Sequence, residues 1–176
     1  MTTIATADFP RVALGCMYYG TRIDQPTAFR LLDMFRDAGE TLLDTSNNYA
    51  FWEDGSRGGA SESLMGRWLA QPGRRAGMRV ATKVGARPLQ PGGGFETAEG
   101  LSASSVRLAV EESLDRLQLE SIDLYYAHID DRTVPLEETL GVFADLIAEG
   151  KIQAIGASNM GASRLREALD ISARQG

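Results

Sequence analysis

The sequence predicts an α/β fold in which parallel strands alternate with helices, and three observations carry that expectation. Five short apolar runs, at 11–17, 41–46, 78–84, 121–129 and 152–158, are separated by stretches of helical periodicity at 25–38, 61–70, 102–118 and 135–149. Four ionisable residues, Asp44, Tyr49, Lys83 and His128, each lie at the C-terminal end of a run or in the loop after it, so parallel strands would gather them at one rim. Two Gly- and Pro-rich segments, 50–60 and 85–101, are too broken for regular elements and fall at the same rim, where α/β proteins place loops that touch substrates.

The elements follow in order. The run 11–17 ends in Gly15, Cys16 and Met17, and Tyr18 and Tyr19 come directly after it. In 25–38, Phe29, Leu32, Phe35 and Ala38 share one helical face, and Gly39 supplies the stop. Residues 42–49 read Leu-Leu-Asp-Thr-Ser-Asn-Asn-Tyr, a strand that breaks into a polar loop, and Phe51 and Trp52 follow. Ser61 and Glu62 open the next helix. The stretch 135–149 has Pro135 in its first turn, Glu137 and Glu138 at the positive end of the dipole, Leu136, Leu140, Phe143 and Ile147 as its apolar repeat, and Gly150 as its close. A last helix starts near 161 with Leu165, Ala168, Leu169 and Ser172 on one side.

With 176 residues and 43% hydrophobic content, the chain suits one core and one domain over 1–176. A net charge of -6 and the lack of any basic run argue against nucleic-acid binding, whose affinity rests on clustered Lys and Arg. No segment approaches the roughly 20 apolar residues of a membrane span, and the start carries no leader pattern, so a cytoplasmic protein without membrane partners is expected. One cysteine and one histidine leave no metal cluster. Nucleotide fingerprints of the G-x-G-x-x-G, P-loop and Tyr-x-x-x-Lys kinds are missing as well.

Four segments resemble the aldo-keto reductase family, and together they run the length of the chain. Asp44-Thr45-Ser46-Asn47-Asn48-Tyr49, with Ser61-Glu62 and Gly66 after it, is similar to the family's first signature. Ala81-Thr82-Lys83 resembles the strand of its catalytic Lys, and Ser113-Leu114, Arg116-Leu117 and Asp123-Leu124-Tyr125 leading to His128 resemble the segment of its His. Gly150-Lys151-Ile152, Ala154-Ile155-Gly156 and Ser158-Asn159 resemble its fifth strand.

The resemblance implies a (β/α)8 TIM-type barrel that reduces an aldehyde or ketone with NADPH, NADH staying open as the alternative. It assigns Tyr49 as proton donor, Lys83 as the ammonium that lowers the phenol's pKa, Asp44 as its anchor and His128 as a donor to the carbonyl oxygen. It assigns Gly15, Cys16, Met17, Asp44, Ser158 and Asn159 to the cofactor, and Tyr18, Tyr19, Phe51, Trp52 and His128 to the substrate mouth. Each residue taken singly also has a structural explanation. Asp44 could cap a helix, Lys83 reach solvent, Tyr49 pack in its loop and His128 sit satisfied in the core, while packing explains Cys16, Met17 and the aromatics equally well.

The chain holds five β/α units of the eight implied, which leaves out strands six to eight and, on the family pattern, most of the grip on the cofactor. Little or no turnover is then expected of the chain alone. Open sheet edges would invite self-association or a complementing C-terminal half. A second reading is a non-catalytic cofactor-binding or interaction fragment, similar to the aldo-keto reductase-like subunits of membrane channels.

Overall fold

In the computed structural model, which describes residues 10–175, the alternating pattern becomes five β/α units. The leader reading of residues 1–9 and the terminal Gly176 lie outside the described residues. Strands β1 (Ala13–Gly15), β2 (Leu42–Asp44), β3 (Arg79–Val84), β4 (Leu124–Ala127) and β5 (Ile155–Ala157) pair side by side in chain order, all parallel. Helix α1 (Gln25–Asp37) follows β1, α2 (Phe51–Asp54) and α3 (Ala60–Leu69) follow β2, and α4 (Ala103–Leu117), α5 (Leu136–Ala148) and α6 (Ala162–Gln175) follow the remaining strands. β1 and β5 each have one partner in this sheet, so it is open at both edges.

The two faces of the sheet carry different cores. Leu14, Leu43, Val80, Val84 and Tyr125 point to the helices and meet Leu32, Leu64, Trp68, Val110, Leu117 and Phe143. The opposite face holds the small cluster of Leu42, Ala81 and Leu124, flanked by Tyr126 and Ala154. Alternation along each strand thus sends Asp44 and Lys83 to the second face, above that cluster. Among the described residues, no helix is long and apolar enough to cross a membrane.

Local chemistry sets the helix ends. Asp24 caps α1 by accepting from Thr27 N at 3.0 Å, and Ser102 caps α4 through Ser105 N at 3.3 Å. Pro135 is the N-cap of α5, one position before the first turn expected for it. Several predicted faces are turned. Within α1 the buried positions are Ala28 and Leu32, with Phe29 and Phe35 only partly covered. α5 buries Leu136, Thr139, Val142, Phe143 and Leu146, while Leu140 leans on the α5–α6 contact and Ile147 is exposed. In α6, Ala168 and Ile171 pack on Leu136, and Leu165 and Leu169 face outward, because α5 is this helix's neighbour among the described residues.

The segment 50–60 is less irregular than its composition predicts. Ala50, at φ 60°, and Gly55, at φ 68°, bracket the one-turn helix α2, and the segment 85–101 likewise holds a 3-10 turn at Phe95–Thr97. A turn of helix needs only a few residues between breakers, which these glycines leave.

Two glycines make the packing testable. A Cβ on Gly66 in α3 would strike the backbone of Arg116 and Leu117 at the end of α4, whereas one on Gly141 in α5 would meet nothing within 4 Å. Gly66→Ala is expected to cost about 1–3 kcal/mol, and Gly141→Ala to add about 0.5–1 kcal/mol. Urea unfolding midpoints of the two variants should therefore move in opposite directions.

Candidate active site

The rim of the sheet is organised around one buried cation. β2 and β3 pair with Asp44 beside Ala81, which places Lys83 two residues farther along the same face. Its Nζ donates to Asp44 Oδ1 at 2.8 Å, to the backbone oxygen of Thr45 at 2.6 Å and to Tyr49 Oη at 2.7 Å. An ammonium has three protons and no acceptor, so all three are used. Burial holds the Lys83 pKa below that of an ordinary lysine, and the Asp44 carboxylate pulls the other way.

Lys83 donates to the phenolic oxygen, and the phenol in turn hydrogen-bonds to the Asp44 carboxylate. Burial, and after it the Asp44 carboxylate, raise the Tyr49 pKa above its ordinary value. This overturns the expectation that Lys83 makes Tyr49 a stronger acid at rest. Desolvation and the adjacent Asp44 charge both disfavour the phenolate, so the phenol stays protonated.

His128 follows the last residue of β4, and its ring meets the Tyr49 ring edge-on, with centroids 5.9 Å apart. Its Nδ1 lies 3.1 Å from Ser46 Oγ. Burial, then the Lys83 ammonium, push the His128 pKa down to about 4, so the imidazole is neutral at pH 7. Asn159 Nδ2 donates to the His128 backbone oxygen at 2.7 Å and to Ser158 Oγ at 3.0 Å. This leaves the Asn159 amide oxygen as an acceptor and the Ser158 hydroxyl as a donor, side by side at the end of β5. A carboxamide, with one acceptor and one donor group, is complementary to that pair.

The loop that carries Tyr49 is buried and polar, and it is pinned from three sides. Thr45 Oγ1 and Ser61 Oγ are 2.7 Å apart, and Ser61 donates to the Cys16 oxygen at 2.7 Å. Asn47 Nδ2 donates to Glu99 Oε1 at 2.7 Å, and the same carboxylate accepts from Gly85 N at 2.9 Å and from Arg87 Nε at 3.2 Å. Glu99 therefore ties the Tyr49 loop to the end of β3, next to Lys83. Sequence reasoning missed Ser46, Asn48 and Glu99, and for Glu99 no local signal existed, since its partners are distant in the chain.

The remaining candidates separate by burial. Gly15 lies at the end of β1 with open space where a side chain would stand. The Cys16 thiol is in the core and bonded to Leu14 O, so only its backbone is near the rim, and Met17 is half-buried. Tyr19 is also in the core, and Phe51 is buried between Trp52 and Phe95. Neither of the two lines an open mouth, since both spend their surface on packing. Tyr18 lies half-buried under the Arg22 guanidinium, and Trp52 and Phe95 are exposed. Glu62 bonds Thr82 at 2.6 Å and Arg116 at 2.7 Å on the helix side of the sheet, away from the rim. Among the described residues, no group of three or more His, Cys, Asp or Glu is placed to hold a metal.

A model of the Aldo/keto reductase family matches residues 11–176. The chain belongs to the aldo/keto reductase family. It is similar to the uncharacterized oxidoreductase YrpG of Bacillus subtilis, 39% identical over 150 residues, a match that covers 85% of this chain and 45% of the relative. The norsolorinic acid reductase stcV of Emericella nidulans is 36% identical over 157 residues, covering 84% of this chain and 39% of the relative. An aryl-alcohol dehydrogenase (NADP(+)) of Phanerodontia chrysosporium is 32% identical over 162 residues, covering 84% and 40%. The chain thus spans less than half the length of these curated relatives. The open parallel sheet is the aldo/keto reductase barrel cut to five of its β/α units.

The depressed His128 pKa has a measurable consequence. The unfolded imidazole titrates near about 6.5 and the folded one near about 4, so the unfolded chain binds the extra proton between those values. The His128 contribution to stability is full above the upper value and is lost as pH falls through the lower one. Chemical unfolding between pH 7 and pH 4 should show a steeper fall for the native sequence than for His128→Asn; equal slopes would contradict a buried neutral imidazole.

Proposed function

We propose that this chain carries the proton-donating centre of an oxidoreductase that reduces an aldehyde or ketone to an alcohol with NADPH. The observation that carries the reading is the 2.7 Å bond from Lys83 Nζ to Tyr49 Oη at the strand rim. A carbonyl oxygen gains negative charge as its carbon is reduced, so an acid must face it in the transition state. Tyr49 is protonated at rest, with its oxygen held against Lys83. As that proton leaves, negative charge builds on an oxygen already held against the Lys83 ammonium. The attraction grows with the charge, and an interaction stronger in the transition state than in the ground state raises the rate. Asp44 keeps the ammonium in place from its other side.

NADPH, when bound, supplies the hydride. Ser158 and Asn159 are the residues of this chain that suit its carboxamide, through the free hydroxyl and amide oxygen described above. The open position at Gly15 lets backbone at the end of β1 come close to a planar ring. NADPH is favoured over NADH because one relative's name carries NADP(+). An aldehyde or ketone of apolar character suits the exposed Trp52 and Phe95 at the rim.

Carbonyl reduction should be followed with NADPH and with NADH, in the chain alone and with a polypeptide of the family's later β/α units supplied in trans. Turnover is expected with the added units, and Tyr49→Phe should lower kcat by about 10²–10⁴-fold while cofactor affinity is kept. Lys83→Met should lower kcat as well and also destabilise the fold, since Asp44 then loses its partner. A Tyr49→Phe variant that reduces carbonyls at the native rate would sink the proposal.

A further inference from the structure

We infer that Glu99 is a positioning residue whose carboxylate sets the contact between Tyr49 and Lys83, and that it does so as the last rung of a ladder of buried charges. The phenol and the ammonium belong to different segments, the loop after β2 and the strand β3, so their 2.7 Å bond lasts only while those segments keep register. One oxygen of Glu99 holds both. Oε1 accepts from Asn47 Nδ2 at 2.7 Å, two residues before Tyr49, and from Gly85 N at 2.9 Å, two residues after Lys83. Asn47 N also donates to the Lys83 backbone oxygen, at 3.3 Å, so the two segments run side by side up to this carboxylate.

The ladder makes Glu99 a fixed point. Its Oε2 accepts from Arg87 Nε at 3.2 Å, Arg87 pairs in turn with Glu112, Glu112 with Arg116 at 3.5 Å, and Arg116 with Glu62 at 2.7 Å. Glu62 closes the series by accepting from Thr82 Oγ1 at 2.6 Å. Signs alternate along the five members, so each inner rung is drawn to both of its neighbours. Glu62, Arg87 and Glu99 are buried, where salt and water screen such pairs little. The two ends meet β3 on either side of Lys83, at Thr82 and at Gly85. The ladder therefore grips the strand around the ammonium, is founded on α3 and α4, and through Asn47 fastens the phenol's loop to the same frame.

What this placement does for catalysis rests on the reductase reading. A phenol shifted away from the ammonium would give up its proton without the growing attraction to Lys83, so loss of Glu99 lowers kcat more than it raises KM. Glu99 acts through Asn47 and Gly85 rather than on the reacting atoms.

Lys83 and Lys151 are the only lysines of the chain, so labelling lysine with 13C and 15N gives two side-chain signals to follow by NMR. Lys151, which precedes β5 and pairs with Glu111 and Glu149, serves as the internal control. Tyr49→Phe takes an acceptor from Lys83 and should raise its acid constant about tenfold in the native background. In Glu99→Ala the same substitution should change the Lys83 constant by less than about twofold, because the phenol no longer lies on the ammonium. An equal effect of Tyr49→Phe in both backgrounds overturns the inference, since a carboxylate that only stabilises the fold would leave the contact intact. Asn47→Ala spares the Arg87 and Gly85 bonds of Glu99 and should uncouple Tyr49 in the same way, which keeps the test decisive where Glu99→Ala does not fold. Where neither folds, hydrogen exchange in the native chain decides: the Asn47 side-chain amide and the Gly85 amide are expected to be protected together, and an Asn47 amide that exchanges as fast as an exposed one overturns the inference. No turnover is needed, so a failure here leaves the kinetic test of Tyr49 standing, and a failure of the reductase reading leaves the Lys83 titration standing.

Discussion

A lysine ammonium that is mostly out of water must be met by oxygen on every side, and much of the rim follows from that requirement. Removing a cation from solvent costs several kcal/mol unless good geometry returns it. Lys83 recovers this through a carboxylate, a backbone carbonyl and a phenol, which come from the end of β2 and from the loop beyond it. The cation therefore joins β3 to the loop of β2. Its demand for a third acceptor fixes where the Tyr49 oxygen lies, and so where a proton could be delivered. The parallel register matters because it sets Asp44 and Lys83 on one face at the spacing that a lysine side chain bridges.

The polar loop after β2 meets the same kind of demand without charge. Thr45, Ser46, Asn47 and Asn48 are almost wholly buried, and buried polar groups are costly unless bonded. Their partners are spread over α3, the end of β3, the 85–101 segment and His128. The two glycine-rich segments also bind each other, with Gly92 N donating to Gly55 O at 2.9 Å and Arg57 Nε to Pro88 O at 3.1 Å. They form a single cover beside the site. On the opposite side of the sheet, Glu62 and Arg116 lock α3 to α4 beneath Thr82, so the strand that presents Lys83 is braced from both faces.

Much of this was legible in the residues. Strand and helix order followed from hydrophobic period, and the meeting of Asp44, Tyr49 and Lys83 followed from their common place after strands. Other features were not legible, for identifiable reasons. The faces of α5 and α6 depend on which neighbour each helix has, and a periodic pattern of Leu and Ile does not say whether sheet or helix receives it. Tyr19 and Phe51 looked like rim aromatics because sequence gives position along the chain, whereas burial depends on what folds over them.

The sequence by itself determined that the chain builds parallel β/α units and that an acid, a lysine and a carboxylate would share one rim, because alternation and spacing are local properties. Only the tertiary structure decided the resting state of Tyr49 and the neutrality of His128. Those depend on desolvation and on the Asp44 and Lys83 charges nearby, and burial is a property of space, set by residues that the chain order keeps apart.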